Sequence, residues 1–474
     1  MLKRAKARKT GIGLSTALDE APLSVFHFKA LFTSGMGFFT DAYDLFIIGI
    51  AVVLIKEQWH LNTTQVSLLG SATLLATLLG AFVFGRIADV MGRKAVYGLE
   101  ASIMAIAAIA SAFAPNFFWL VIFRFLLGLG IGGDYPVSAV IMSEYSNRVN
   151  RGFLVSLVFS MQALGLVIGP MVALTLLVSG ISHDLAWRIM LGLGALPAIA
   201  VIQLRRSMPE SPRFVARVKG DLTKAVETIH HYSAGIVQAS KEEYGPTIRR
   251  SFKAFITRKR NLLMILGTAG SWFLLDYAYY GNTISTPLIL KTVAPGSDII
   301  KTAAWTLIIF AIAALPGYAF AFFKIDHIGH KRLQWLGFIA MGICFFTIGI
   351  IPGLTQAIIP FLLLYGLSYF FTEFGPNVTT FVIPTEVFSI TDRSTGHGIA
   401  AGIGKLGAFL GVFIFPILTA KFALNGTLLI SSVAAFLGAI ATTVLPETSR
   451  RSLDEVSEEL IVIEQEPKKR NKKR

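Results

Sequence analysis

The feature that most constrains this chain is a series of about twelve long apolar blocks. They lie near residues 30–55, 65–88, 95–114, 117–143, 153–180, 186–204, 261–290, 302–323, 333–351, 357–387, 396–420 and 427–445. Each reaches the roughly 20 residues that cross a bilayer core. Strand-like alternation is absent, which argues against a barrel and leaves helices, the other structure that satisfies every backbone polar group within lipid. Composition agrees: 54% hydrophobic and 15% charged residues, against about 45–50% and about 25% for a soluble domain. Disorder and ordinary cytosolic globularity are excluded. The single cysteine, Cys344, lies in an apolar run and reads as a small buried apolar residue, so neither an internal disulfide nor a Cys-based metal cluster is available. The expected fold is an all-α membrane protein.

A formal net charge of +15 first suggests a polyanionic partner. Placing the N-terminus inside puts 35 of the 43 Lys and Arg on one side, among them 13 in residues 205–260 and eight from Arg450 onward. The opposite connections hold only Lys56, Arg188, Lys291, Lys301 and Lys421. That asymmetry is the positive-inside pattern with both termini cytoplasmic, so nucleic acid is not expected as a partner. The first 26 residues carry five basic side chains but no apolar core. No cleaved signal peptide is expected, and the first helix would act as the insertion signal.

The spans divide six and six, and signatures recur across the divide. Asp89-Val90-Met91-Gly92-Arg93-Lys94 follows helix 2, and Asp326-His327-Ile328-Gly329-His330-Lys331-Arg332 follows helix 8, the two aspartates being 237 positions apart. Pro209-Glu210-Ser211-Pro212-Arg213 ends helix 6, and Pro446-Glu447-Thr448-Ser449-Arg450 ends helix 12 at the same offset of 237. Glu144 precedes Arg151 by seven residues, as Glu386 precedes Arg393. Repeated helical halves place a binding site near the bilayer midplane between them, with rocking giving alternating access. The expected layout is a cytoplasmic tail at 1–26, a six-helix bundle at 27–206, a central loop at 207–259, a second bundle at 260–446 and a tail at 447–474. Asp89, Arg93, Glu144 and Arg151, with Asp326, Lys331, Glu386 and Arg393 as the second copy, could form a latch at the cytoplasmic end. The competing reading is solvated turn charge.

Charges at membrane depth are costly and point to function. Asp41 and Asp44, three apart in helix 1, share a helix face, and two such neighbours are expected to hold a proton between them. Arg124 in helix 4 is the expected counter-ion of Asp44; a buried structural pair is the alternative. Helix 4 continues through Gly128, Gly130, Gly132 and Gly133 to Asp134-Tyr135-Pro136. No strand precedes this G-x-G-x-x-G, so it is not a nucleotide loop. Asp134 is either a proton carrier or a cap on a broken helix. Trp272, Asp276 and Tyr280 recur every fourth residue of helix 7, one slowly turning stripe expected to line a pore. Gln162, Asn377 and Lys405 complete the polar set, although Gln and Asn could instead bridge helices. His397 reads as an ordinary hydrogen-bonded histidine.

The D-x-x-G-R-K loop, Arg124-x-x-x-Gly128-x-Gly130 and P-E-S-P-R resemble the sugar-porter-like branch of the major facilitator superfamily over nearly the whole chain. Longer stretches are similar to the phosphate:proton symporter family: Gly37–Phe46, Gly133-Asp134-Tyr135-Pro136 with Met142-Ser143-Glu144, Trp272–Asp276, Phe374–Thr380, and Ser394–Gly398 with Lys405. The resemblance implies that Tyr135, Gln162, Trp272, Asp276, Tyr280 and Asn377 hold phosphate, with Lys405 nearby, and that Asp41, Asp44 and Asp134 transfer protons. The central loop and tails are short beside fungal members, which points to a prokaryotic homologue. The expected function is proton-coupled import of inorganic phosphate (H2PO4⁻) across the plasma membrane by a monomer, in contact with membrane lipids and without cofactor, metal or enzymatic activity. The rivals are a proton-coupled sugar or organic-acid symporter and a non-transporting nutrient receptor.

Overall fold

The computed structural model describes residues 9–12, 14–232, 237–239, 251–294, 296 and 298–457. The basic residues before Lys9 and the run Lys468–Arg474, expected at the cytoplasmic surface, lie outside the described residues. Among the described residues, eleven continuous helical stretches are long and apolar enough to cross a membrane. Helices 1 to 6 are Val25–Trp59, Thr63–Met91, Arg93–Ala112, Phe117–Tyr145, Arg151–Val178 and His183–Ser207. Helices 7 to 10 are Lys259–Ile284, Ile299–Ile328, His330–Ile350 and Ile358–Val387. The last stretch, Arg393–Thr442, breaks at Ala423 (φ 54°, ψ −179°) into helices 11 and 12. The fold is thus the all-α, twelve-span arrangement expected from the apolar blocks. Beside it, Lys9–Ile12 and Val237–Ala239 form a short parallel strand pair.

Burial runs opposite to that of a water-soluble protein. Ile106, Phe113, Ile312, Ile359 and Leu363 are 69–78% exposed, while Asp44, Asp89, Arg93, Glu144, Arg205, Asp276 and Glu373 are at 0%. Apolar side chains outside and charges inside are what a hydrocarbon solvent selects. Cys344 packs, buried, in helix 9.

The two halves meet along two seams, helix 2 on helix 11 and helix 5 on helix 8. Small residues permit the first. A Cβ on Gly85 would lie 2.7 Å from the Ser394 carbonyl oxygen, and one on Gly398 would lie 2.4 Å from that of Ala81.

Among the described residues, two helices are interrupted at depth. Helix 10 breaks at Gly375 (φ −122°, ψ −98°) before Pro376, and helix 8 carries a π segment at Phe310–Ala314. Irregular backbone survives in a membrane only where protein surrounds it. Asn377 lies two residues beyond Gly375, in the first turn of the segment that restarts at Pro376.

One boundary differs from expectation. The sixth span continues through Ser207, so Arg205 is not a loop charge but a fully buried side chain. Its partners lie on other helices, which is why a sequence window ends the span before it.

Candidate functional site

A layer of polar side chains crosses the middle of the bundle between the halves. From the N-terminal half, Asp41 Oδ2 accepts hydrogen bonds from the Tyr135 hydroxyl at 2.6 Å and from Gln162 Nε2 at 3.1 Å. From the C-terminal half, Lys405 Nζ donates to Asp276 Oδ2 at 3.2 Å and to the Tyr280 hydroxyl at 2.7 Å. The same ammonium lies 4.2 Å from the Tyr280 ring centroid and 4.7 Å from that of Tyr135, a cation–π contact that crosses the interface. Trp272 packs against the Tyr135 ring, 6.0 Å between centroids. The Tyr318 hydroxyl donates to Gln162 Oε1 at 3.1 Å and accepts from Asn377 Nδ2 at 2.8 Å, a second bridge between halves. Tyr135, Gln162, Trp272, Asp276, Tyr280, Asn377 and Lys405 are all buried, at 2% exposure or less.

All seven substrate-site candidates therefore meet in one cluster, with Asp41 among them. Most of its polar atoms bond one another, while Asp41 Oδ1 and Asp276 Oδ1 have no hydrogen-bond partner, so a ligand would enter by exchanging these bonds for its own. The donors are hydroxyls, amides and one ammonium, a set suited to a small oxygen-rich anion.

Asp44 and Asp134 stand apart from that layer. Asp44 faces Arg124, whose Nη2 donates to the Asp44 carbonyl at 2.9 Å and whose Nη1 lies 3.8 Å from Oδ1. The shared face expected for Asp41 and Asp44 is thus split between the interface and the N-terminal bundle, because three residues of helix rotate the second acid by about 60°. Asp134 is held by Arg205 through bonds of 2.7 and 3.1 Å, and Arg205 also donates to Glu100 at 3.0 Å. His397 Nε2 lies 3.1 Å from the Phe381 carbonyl oxygen, the ordinary bonded histidine expected.

At the end of the bundle that carries the repeated loops, the halves are latched. Asp89 accepts from Ser394 N at 3.2 Å, Thr395 N at 2.6 Å and Thr395 Oγ1 at 2.7 Å, capping helix 11. Asp326 accepts from Gly152 N at 3.2 Å and Phe153 N at 2.7 Å, capping helix 5. Each acid thus caps the first turn of a helix in the other half. Arg93 donates to Glu144 at 2.9 Å, and Arg393 reaches the same oxygen at 3.3 Å. In the second copy Glu386 lies 2.9 Å from His330 Nδ1 and 3.8 Å from Arg151.

Lys331 is not in the latch. Its ammonium donates to the Thr443 carbonyl on an exposed edge, and His330 holds the place that Arg93 holds in the first copy. Matching by charge picks Lys331, whereas the offset of 237 maps Arg93 onto residue 330. Glu210 and Glu447, at that same offset, accept from the backbones of Arg93 and His330 at 3.2 and 2.7 Å.

Other residues escaped the sequence reading. Arg205 was assigned to the loop. Glu100 and Glu373 stand singly in apolar runs, and that isolation was itself a usable signal. Glu373 accepts from Asn377 Nδ2. At the unlatched end a cavity of about 460 Å³ opens between the halves, lined by Gly49, Ser67, Gly70, Ile284, Val412 and Pro416, with Lys56 and Lys291 on its walls. Among the described residues no group of three or more His, Cys, Asp or Glu is placed to hold a metal ion.

The family described as "Sugar (and other) transporter" matches residues 29–460. The chain is 36% identical to the probable inorganic phosphate transporter 1-6 of Arabidopsis thaliana, over 94% of this chain and 96% of that protein. It is 32% identical to a repressible high-affinity phosphate permease of Neurospora crassa, over 93% and 88%. In three dimensions it is similar to a major facilitator superfamily proton:xylose symporter bound to 6-bromo-6-deoxy-D-glucose, with a TM-score of 0.75, 19% identity and coverage of 92% of this chain and 99% of that one.

Proposed function

The chain belongs to the sugar (and other) transporter family, with inorganic phosphate transporters among its relatives and the major facilitator fold, and from that premise we infer that it is a proton-coupled importer of inorganic phosphate. The single observation that carries this reading is the buried cluster at the interface. Tyr135, Gln162, Trp272, Tyr280 and Asn377 supply neutral donors, and Lys405 supplies positive charge. Residues 27–206 and 260–446 are the two units that rock about it. The latched end faces the cytoplasm of a plasma-membrane protein, and the cavity beside Lys56 and Lys291 is the entry from outside, where positive charge concentrates anions. A monomer suffices, since both halves of the site lie in one chain.

Charge sets the coupling. An anion entering beside ionised Asp41 and Asp276 meets more negative than positive charge in low dielectric. A proton on Asp41 removes one of these charges and frees Tyr135 and Gln162, which now donate to Asp41, to donate to the anion instead. Asp276 then accepts a hydrogen bond from a phosphate P–OH. Sulfate has no such proton at neutral pH, and leaving a buried polar group unpaired costs roughly 1–3 kcal/mol, which gives selectivity. Asp134 and Asp44 act through their arginines: a proton on either releases Arg205 or Arg124 and loosens helix 4 against its neighbours. Release of the proton inside weakens phosphate binding and completes import.

The test is radiolabelled phosphate uptake into proteoliposomes with and without an inward proton gradient. Gradient-driven accumulation with competition by arsenate, but not by sulfate or glucose, is expected. Strong competition by glucose would instead favour a sugar substrate.

A further inference from the structure

Glu373 is the one carboxyl in the central layer with no part in that scheme. It lies on helix 10 one turn before Asn377 and is fully buried. Its Oε2 accepts from Asn377 Nδ2, and Oε1 has no hydrogen-bond partner. Among the described residues it makes no ion pair; the ammonium of that half, Lys405, is committed to Asp276. The groups that face Glu373 are Tyr279 and Tyr280 from helix 7, Tyr318 from helix 8, and Asp276, a like charge. Asn377 and the tyrosine hydroxyls are neutral neighbours, so an ionised carboxylate here has no counter-ion, and a buried charge without one is among the costliest arrangements in a protein.

The layer also has a wiring that the sequence did not suggest. Gln162 donates to Asp41, Tyr318 donates to Gln162, and Asn377 donates both to Tyr318 and to Glu373. Hydrogen bonds through neutral side chains thus join an acid of one half to an acid of the other. The layer holds three carboxyls, Asp41, Asp276 and Glu373, and one ammonium, Lys405, so with every carboxyl ionised the site carries two excess negative charges. One proton on Asp41 leaves it still negative when an anion arrives. A second brings carboxylate and ammonium into balance.

We propose that Glu373 is a second proton-carrying residue of the transport site, opposite Asp41 and joined to it through Gln162, Tyr318 and Asn377, and that it must be protonated for an anion to occupy the space between the halves. This rests on the anion-transport reading above. Each cycle then moves two protons inward on carboxyl oxygens, one in each half, and both are released to the cytoplasm with the substrate.

The test separates the two ideas. Infrared titration of the reconstituted full-length protein should show a protonated-carboxyl C=O band that disappears in Glu373→Gln and shifts in Glu373→Asp, with or without phosphate. Phosphate binding by the wild type should weaken with rising pH more steeply than that of Glu373→Gln, the difference being about tenfold per pH unit for one proton lost from the linkage. An infrared spectrum unchanged by Glu373→Gln overturns the proposal, as does an unchanged pH slope. If the wild type binds no phosphate, the anion reading falls, and the infrared band still decides whether Glu373 holds a proton. Glu373→Asp keeps the carboxyl, so it serves where Glu373→Gln misfolds.

Discussion

At the latched end the two halves are near copies; in the middle they are not. Gly92 and Gly329 both adopt left-handed φ, 105° and 103°, and a Cβ on either would strike the carboxylate of Glu210 or Glu447 at 2.3 or 2.5 Å. Asp89 and Asp326 each cap a helix of the opposite half. In the central layer the N-terminal half gives one acid with Tyr135 and Gln162, whereas the C-terminal half gives Asp276, Glu373 and the ammonium of Lys405. On the function proposed above, closing a gate is a task two equivalent halves can share, and binding one small asymmetric ion is not.

The sharpest way to break the comparison is to remove the charge that only one half owns. Lys405→Met should abolish uptake, because truncating one partner of a buried ion pair costs about 3–5 kcal/mol, or about 150-fold or more. The measurement is initial uptake in proteoliposomes, with thermal unfolding as a check on folding. Uptake within threefold of wild type would remove Lys405 from the site.

Next is the gate. Asp89→Ala removes three hydrogen bonds to helix 11 and Asp326→Ala two to helix 5. With bonds to a charged acceptor worth about 1.5–3 kcal/mol each, the first should shift the balance toward opening of the latched end by about a thousandfold or more, and the second by about a hundredfold or more. Spin-label distances across each seam read the shift. Equal effects would mean that the two caps are interchangeable.

How far the sequence reaches follows the same line. Spans, duplication and the seven central candidates could be read from it, because apolar length, fixed offsets and isolated intramembrane charges are local signals. Arg205 could not, since its partners Glu100 and Asp134 lie about 105 and 71 residues away. His330 was passed over because a histidine does not look like an arginine, although it occupies the arginine's place. The divergence of Asp41 from Asp44 depends on which neighbours each meets, and helix periodicity alone does not supply neighbours.

A smaller effect tests how the repeats touch. Arg217 and Asp454, themselves 237 apart, join through a 2.8 Å hydrogen bond, so equivalent positions of the two copies carry opposite charges and bind each other. Asp454 is buried, which alone would raise its pKa, yet the guanidinium groups of Arg213 and Arg217 hold it below the ordinary carboxylate value. A lowered acid contributes stability above the unfolded pKa of about 3.9 and loses it as pH falls through the folded value. Asp454→Asn should therefore lower thermal stability by about 1–3 kcal/mol at neutral pH, with the gap from wild type closing as pH drops below about 4. A gap constant with pH would mean the loss is packing, not charge.

The finest contrast is Arg93 against His330. Arg93 is charged at every accessible pH. His330 presents Nδ1 to Glu386 at 2.9 Å and Nε2 to Asp326 at 3.3 Å. Two ionised carboxylates can only accept, so both contacts are hydrogen bonds only while the ring carries both protons. Loss of one proton deprives one carboxylate of its donor from the ring; the Thr448 hydroxyl, 3.0 Å from Nδ1, can donate to a neutral Nδ1, but Glu386 then keeps only Arg151 at 3.8 Å. Raising the pH on the latched side should therefore loosen the helix 5 to helix 8 seam and leave the helix 2 to helix 11 seam unmoved, by about fivefold for one bond of roughly 1 kcal/mol. His330→Arg should make the first seam as indifferent to pH as the second, and Arg93→His should give the second the sensitivity of the first. If both seams respond alike in the wild type, the asymmetry lies elsewhere than in this one ring.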